Sequence, residues 1–196
     1  MKNIFIVFGI ITLSGIMFLK PVMADQTTYA IDTSQSLIKF SFRSTLHEVE
    51  GKAHRFKGTF QTDSESDHFL ESGDVHVETS SLDTQNEKRD EQMFLMFDSK
   101  HFPDIRYSFS TVMPQASKDS RPRSYVLKGQ LTIKDQSQNI EIPVVIAETE
   151  EGIVLSGDVD LSLKALNLKP PSVLMLIRVF DTVHIHFQSL LKEISS

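Results

Sequence analysis

The chain of 196 residues has no cysteine. That excludes a disulfide framework, thiolate metal sites, covalent haem attachment, thiol redox chemistry and a lipidated N-terminal cysteine. Tryptophan is absent as well, and positive charge is in deficit: 20 Lys and Arg stand against 26 Asp and Glu, a formal net charge of −6. An acidic chain has no electrostatic reason to bind nucleic acid or anionic headgroups. The motifs G-x-S-x-G, H-E-x-x-H, G-x-x-x-x-G-K-[ST] and G-x-G-x-x-G do not occur, so no hydrolase, metalloprotease or nucleotide site is marked. What the chain does have is 14 Phe and 7 Met, an aromatic and deformable apolar set.

The first 24 residues read as a targeting segment. Lys2 supplies a positive start, Ile4 to Leu19 is an uncharged apolar run, and Val22-Met23-Ala24 offers small residues at cleavage spacing. This is the signal-peptide pattern, residues 1–24, and it predicts a periplasmic or secreted protein. An uncleaved anchor is the alternative, although the 16 residues of the run are short for a hydrocarbon layer of roughly 30 Å. Cleavage leaves one domain, residues 25–196, without stable membrane insertion and with a net charge of −8. Its 172 residues are enough for a core that needs no staples.

The dominant signal in that domain is period two. Ile38, Phe40 and Phe42 alternate with Lys39, Ser41 and Arg43. The same alternation carries Val75 and Val77, then Ile105, Tyr107 and Phe109, then Tyr125, Leu127, Leu131 and Ile133. It continues through Ile140 to Ile146, Ile153 to Leu161, and Val183, Ile185 and Phe187. Alternation of this kind marks strands with one buried and one wet face. The spacing predicts about eight strands and no βαβ rhythm, hence an all-β, antiparallel sheet that must close or fold over itself. Pro143 predicts an edge or bulge in its strand, and "LNLKPPS" reads as a loop. One stretch reads as a short helix near 85–97. Thr84 to Glu87 has the capping-box pattern, Met93, Met96 and Phe97 share a face, and Pro103 ends any continuation.

In order along the chain, these segments resemble the YceI-like family of exported lipid-binding proteins. "YAIDTSQSLIKFSF" (Tyr29 to Phe42) is similar to its opening strand, and "VEGKAHRFKGTF" (Val49 to Phe60) to its paired-glycine segment with Gly51 and Gly58. "SLDT", Arg89-Asp90 and "KHFPDIRYSF" resemble its middle signature, and "LKGQLTIKDQSQNIEIPV" (Leu127 to Val144) its hairpin. The resemblance spans Tyr29 to Phe187. It implies a lipocalin-like antiparallel β-barrel of about eight strands whose apolar tunnel sequesters or carries a polyisoprenoid or similar long-chain amphiphile. It implies no catalytic reaction and no cofactor. The chain departs from the family at Gln35, where many members carry His, and in a shorter segment between Asp90 and Phe102.

An eight-stranded barrel is just wide enough to be filled by side chains or to hold one small ligand. From pattern alone the filled core, a structural or stress-response barrel, is the simpler reading; the resemblance reverses that order. The expected lining is Phe40, Phe42, Phe60, Val77, Tyr107, Phe109 and Leu131 from the strands, with Met93 and Phe97 from the helix. Arg89 is the headgroup candidate, with a structural role at the barrel rim as its alternative. The expected partner is a long-chain lipid or isoprenoid, and a homodimer is left open. His184 and His186 share a strand face and could ligate zinc, but their apolar neighbours turn them outward, so no metal is expected. A metal- or serine-dependent hydrolase of exported lipids is the weaker alternative function.

Overall fold

The structure, a computed structural model, describes residues 26–63, 70–115, 123–170 and 178–194. The proposed signal segment lies outside them. No helix among the described residues is long and apolar enough to cross a membrane.

The described residues form eleven strands and one α-helix in chain order. They are β1 (Gln26–Ile31), β2 (Leu37–Ser44), β3 (Glu48–Ala53), β4 (Phe56–Asp63), β5 (Ser72–Glu78) and β6 (Leu82–Asp83). Helix α1 (Glu87–Phe97) comes next, then β7 (Asp104–Pro114), β8 (Arg123–Ile133), β9 (Gln136–Thr149), β10 (Gly152–Ser162) and β11 (Val179–Glu193). All pairings are antiparallel, in the order β1-β4-β5-β7-β8-β9-β10-β11, and β1 pairs back to β11, which closes an eight-stranded barrel. The expected barrel is therefore present. The three further strands, β2, β3 and β6, extend from the outer edge of β11.

Strand β11 serves two neighbours. Leu191 to Glu193 pair with β1, while Val183 to Gln188 pair with β2. At the fork between them the Leu190 N–H donates to Ser36 Oγ, and the Leu190 carbonyl accepts from Asp32 N–H. A side chain and a tight corner thus replace the missing stretch of ladder, as a buried backbone requires.

A second discontinuity lies at Pro143. Strands β9 and β10 pair from Thr149 and Gly152 as far as Val144 and Gly157, and no farther. Proline has no N–H to donate. Its carbonyl lies 2.5 Å from where a Cβ of Gly157 would be, so the proline's donor-less edge faces β10. Beyond it, residues 136–143 pair only with β8 and residues 158–162 only with β11. The strand is interior at one end and an edge at the other.

The interior aromatic rings are seated on glycines of neighbouring strands. Phe40 stands opposite Gly51, Phe60 and Phe109 flank Gly73, and Phe187 stands opposite Gly157. A Cβ at Gly51 would lie 2.3 Å from the Phe40 ring, one at Gly73 2.5 Å from the Phe109 ring, and one at Gly157 2.7 Å from the Phe187 ring. Each ring lies down over the space its glycine leaves open.

Two ion pairs fix corners of the barrel. Lys192 Nζ meets Asp32 at 2.7 Å beside the β11 fork, and Arg55 Nη2 meets Glu78 at 2.7 Å where β4 begins and β5 ends. The Lys192 hydrogen bond, helped by Ser34, holds the Asp32 carboxyl at about 2; Arg55, helped by Ser80, holds Glu78 at about 2.

Two outcomes are expected from this geometry. Gly73→Val drives a branched side chain into two rings at once, and overpacking of this kind costs about 1–3 kcal/mol. An unchanged urea midpoint in that variant would refute the ring-on-glycine packing. Both carboxyls have folded pKa values below their ordinary ones, so their stabilisation is complete above the ordinary carboxylate range and is lost as pH falls towards about 2. Glu78→Gln should flatten the acid side of the stability–pH curve, read from melts between pH 5 and 2; an unaltered acid limb would show that the Arg55–Glu78 pair carries none of it.

Candidate functional site

The barrel interior is filled at one end and hollow towards the other. At the filled end Leu70, Val112, Tyr125, Val144, Ile146, Ile153 and Leu191 pack into a continuous core. The helix end is closed differently. Helix α1 lowers Met93 and Phe97 into the opening, and the connection after β10 adds Leu163, Leu166 and Leu168, all buried.

The helix begins where local chemistry permits. Asn86 is the N-cap and accepts from Arg89 N–H at 3.0 Å. Thr84, the capping residue expected from the sequence, is not the cap. Gln85 has φ +60°, a left-handed conformation that breaks any helix running through it. Thr84 is instead buried and bridges two adjoining helix residues. Its hydroxyl donates to the buried Asp90 carboxylate and accepts from Arg89 Nε at 2.8 Å, while its carbonyl accepts from Arg89 Nη2 at 2.8 Å. Arg89 and Asp90 point to different sides of the helix, as neighbours must, and Thr84 ties them together. Asp98, in the left-handed conformation at φ +50°, terminates the helix.

Between filled core and helix lies an inner chamber of 210 Å³. Every strand of the closed ring contributes to its wall, including Phe60 (β4), Val77 (β5), Tyr107 and Phe109 (β7), Leu131 (β8), Ile142 (β9), Val159 (β10) and Phe187 (β11). Among the described residues, only Tyr107 and Ser189 bring polar side-chain atoms to it. The Tyr107 hydroxyl donates to the Leu127 carbonyl at 3.0 Å, and burial pushes its phenol above the ordinary range, so it stays neutral.

An outer vestibule of 300 Å³ opens beside it, between α1 and the β2–β3 turn. Phe42, Val49, Met93, Met96 and Val179 form its apolar walls; His47, Asn86, Lys88, Arg89 and Gln92 give it a polar rim that includes two cations and, among the described residues, no carboxylate. Arg89 Nη1 has no hydrogen-bond partner among the described residues. Phe40, Phe97, Leu163 and Val183 line both spaces. These four side chains form the partition between them.

The structure thus brings the sequence-derived candidates together. Phe60, Val77, Tyr107, Phe109 and Leu131 line the chamber, Phe42 and Met93 the vestibule, and Phe40 and Phe97 the partition. Arg89 stands at the vestibule rim, held by Thr84. Sequence reading missed Leu163, Leu166 and Leu168, because they lie in an aperiodic turn, and Ser189, because a serine in an alternating strand carries no signal of its own.

Outside the barrel, His186 pairs with Asp158 at 2.8 Å and His184 with Asp160. Both histidines face outward beside an open polar groove formed with Lys39, Glu50, Lys52 and His54. Among the described residues no group of three His, Asp or Glu is placed to hold a metal ion.

Comparison with solved structures agrees with the barrel. The crystal structure of BcnA from Burkholderia cenocepacia matches with a TM-score of 0.70 and 19% identity, covering 83% of this chain and 99% of that one. A polyisoprenoid binding domain from Saccharophagus degradans matches with a TM-score of 0.67 and 10% identity, over 86% of this chain and 99% of its own. The YceI protein of Campylobacter jejuni matches with a TM-score of 0.60 and 19% identity, over 76% and 86%. No curated protein gives a significant match. The family model of the YceI-like domain matches residues 29–190, from the first strand of the barrel to the fork of the last, so the chain belongs to the YceI-like family.

Proposed function

We propose that this protein is a carrier or store for a long, largely apolar lipid, a polyisoprenoid or similar amphiphile, and not an enzyme. The observation that carries the reading is the pair of adjoining spaces, an apolar chamber beside a polar-rimmed vestibule, that share four apolar lining side chains. Ligand pockets span about 300–1,000 Å³. The chamber at 210 Å³ is small alone, and the vestibule at 300 Å³ sits at the lower limit. A long chain would occupy both and turn Phe97 and its neighbours aside. Burial is the mechanism: each methylene removed from water contributes roughly 0.8 kcal/mol, so an extended tail binds well with few polar contacts. Lys88 and Arg89 at the rim suit the polar or anionic end of such a molecule. The polyisoprenoid-binding description of the Saccharophagus structure supports this ligand class.

Export is part of the proposal and rests on the N-terminal targeting pattern. A carrier between membranes needs such a location. A hydrolase has less support: Ser44 and His47 both line the vestibule, but the serine hydroxyl bonds the His47 backbone and not its imidazole, and no metal-holding group is found among the described residues.

The filled structural barrel is the competing reading, and one measurement separates the two. Protein purified from the exported fraction without detergent is extracted with organic solvent and analysed by mass spectrometry. A single long-chain species near one per chain is expected; an empty extract, repeated after incubation with polyisoprenoids and fatty amphiphiles, would favour the filled barrel. Phe42 is the residue to alter next, since it lines the vestibule and is only half-buried. Phe42→Asp puts an uncompensated charge in the tail's path and should lower uptake at least tenfold while the fold survives. Undiminished uptake by a folded Phe42→Asp variant would sink the tail route.

A further inference from the structure

Among the described residues seven polar or charged side chains are buried: Ser44, Thr62, Thr79, Ser81, Thr84, Asp90 and Ser189. Six of them have hydrogen-bond partners within the protein. Ser189 is the exception. It is 4% exposed, lines the inner chamber, and its Oγ has no partner among the described residues. A buried hydroxyl without a partner is costly and calls for an explanation.

Packing does not supply one. Ser189 lies in the inward row of β11 between Phe187 and Leu191, beside the fork where β11 exchanges β2 for β1. A small residue suits that crowded place, but alanine would fill it equally well. Backbone bonding does not use the hydroxyl either, because the corner at the fork is closed by Ser36 Oγ and Asp32 N–H. A resident water is a poor answer. Buried waters typically make about three hydrogen bonds, and the only other polar side chain in the lining among the described residues, Tyr107, already donates to Leu127.

A ligand oxygen fits better, since one donated bond satisfies a carbonyl or ether oxygen. The surroundings disfavour charge: no charged residue among those described lines the chamber, and an unpaired ion would not leave water for it. We propose that Ser189 is the deep polar contact of the ligand site. The lipid carries a neutral oxygen acceptor, a ketone, ester or ether, on the part that enters the chamber, and the Ser189 hydroxyl donates to it. This rests on the lipid-binding reading and narrows its ligand from any apolar chain to one oxygenated at its inner end.

The test uses the mature protein, Ser189→Ala and two probes: a straight-chain 2-ketone with a carbon-13 carbonyl, and the alkane of equal carbon number. Each is titrated by displacement of a fluorescent apolar dye. Comparing the two probes across the two proteins cancels their different solubilities in water. Ser189→Ala should weaken the ketone about tenfold, the worth of one good neutral hydrogen bond, and leave the alkane unchanged or tighter. The labelled carbonyl band in the infrared should sit lower in the wild-type complex than in the variant complex. Without ligand, the variant should melt no lower than wild type, because it loses an unsatisfied group.

Equal effects on both probes, an unmoved carbonyl band, or a ketone that fails to bind where the alkane binds would each overturn the Ser189 contact while leaving lipid binding intact. A lower melting temperature for ligand-free Ser189→Ala would show that the hydroxyl is already bonded inside the protein, and would also overturn it. Failure of both probes to bind wild type would overturn the contact and the lipid-binding reading together.

Discussion

The hollow in this barrel depends on phenylalanine rings lying flat against the wall, and they lie flat because glycines stand opposite them. An eight-stranded barrel has little interior to spare. Rings standing upright from the strands would meet across its axis. Seated over Gly51, Gly73 and Gly157, the rings of Phe40, Phe60, Phe109 and Phe187 turn along the sheet and leave the axis clear. At the filled end, by contrast, Tyr125, Val144, Ile146 and Leu191 close the interior. The two halves therefore divide the labour: one supplies a continuous core for stability, and the other exchanges packing for a dry space. The helix completes the arrangement. It is anchored by Thr84 through Arg89 and Asp90, and its Met93 and Phe97 stop the opening.

Much of this was legible in the sequence, for identifiable reasons. Strand faces could be read because period two survives wherever one face is buried and the other wet. The inward rows of β2, β8, β9 and β10 follow the alternation, and that of β7 follows it as far as Phe109, after which a bulge before Thr111 brings Val112 inward. The helix could be read from Met93, Met96 and Phe97, but its start could not. The Thr84–Glu87 pattern is a capping box in form, and only the left-handed Gln85, a residue type with no preference for that conformation, moves the cap to Asn86.

Other features depend on register between distant segments. Ile31 and Leu191, 160 residues apart, close the ring, and nothing local announces that pairing. The glycine seats are equally hidden, because a glycine's role is set by which ring faces it across the sheet. Leu163, Leu166 and Leu168 follow neither a strand nor a helix period, so a segment that plugs the barrel reads as an ordinary turn. Pro143 was half legible: it marks an edge, but only for the part of β9 that precedes it.

That partial edge bears on how a closed barrel can admit a bulky guest. An unbroken cylinder of hydrogen bonds resists any increase in girth, because widening it means breaking rungs. Between residues 136–143 and 158–162 there are no rungs to break. The wall there is a split sleeve, and a split sleeve takes up differences in diameter by flexing along its slit. The proline that interrupts one ladder thus gives the helix end a compliance that the opposite end, with its ladder intact from Val144 to Thr149, does not share.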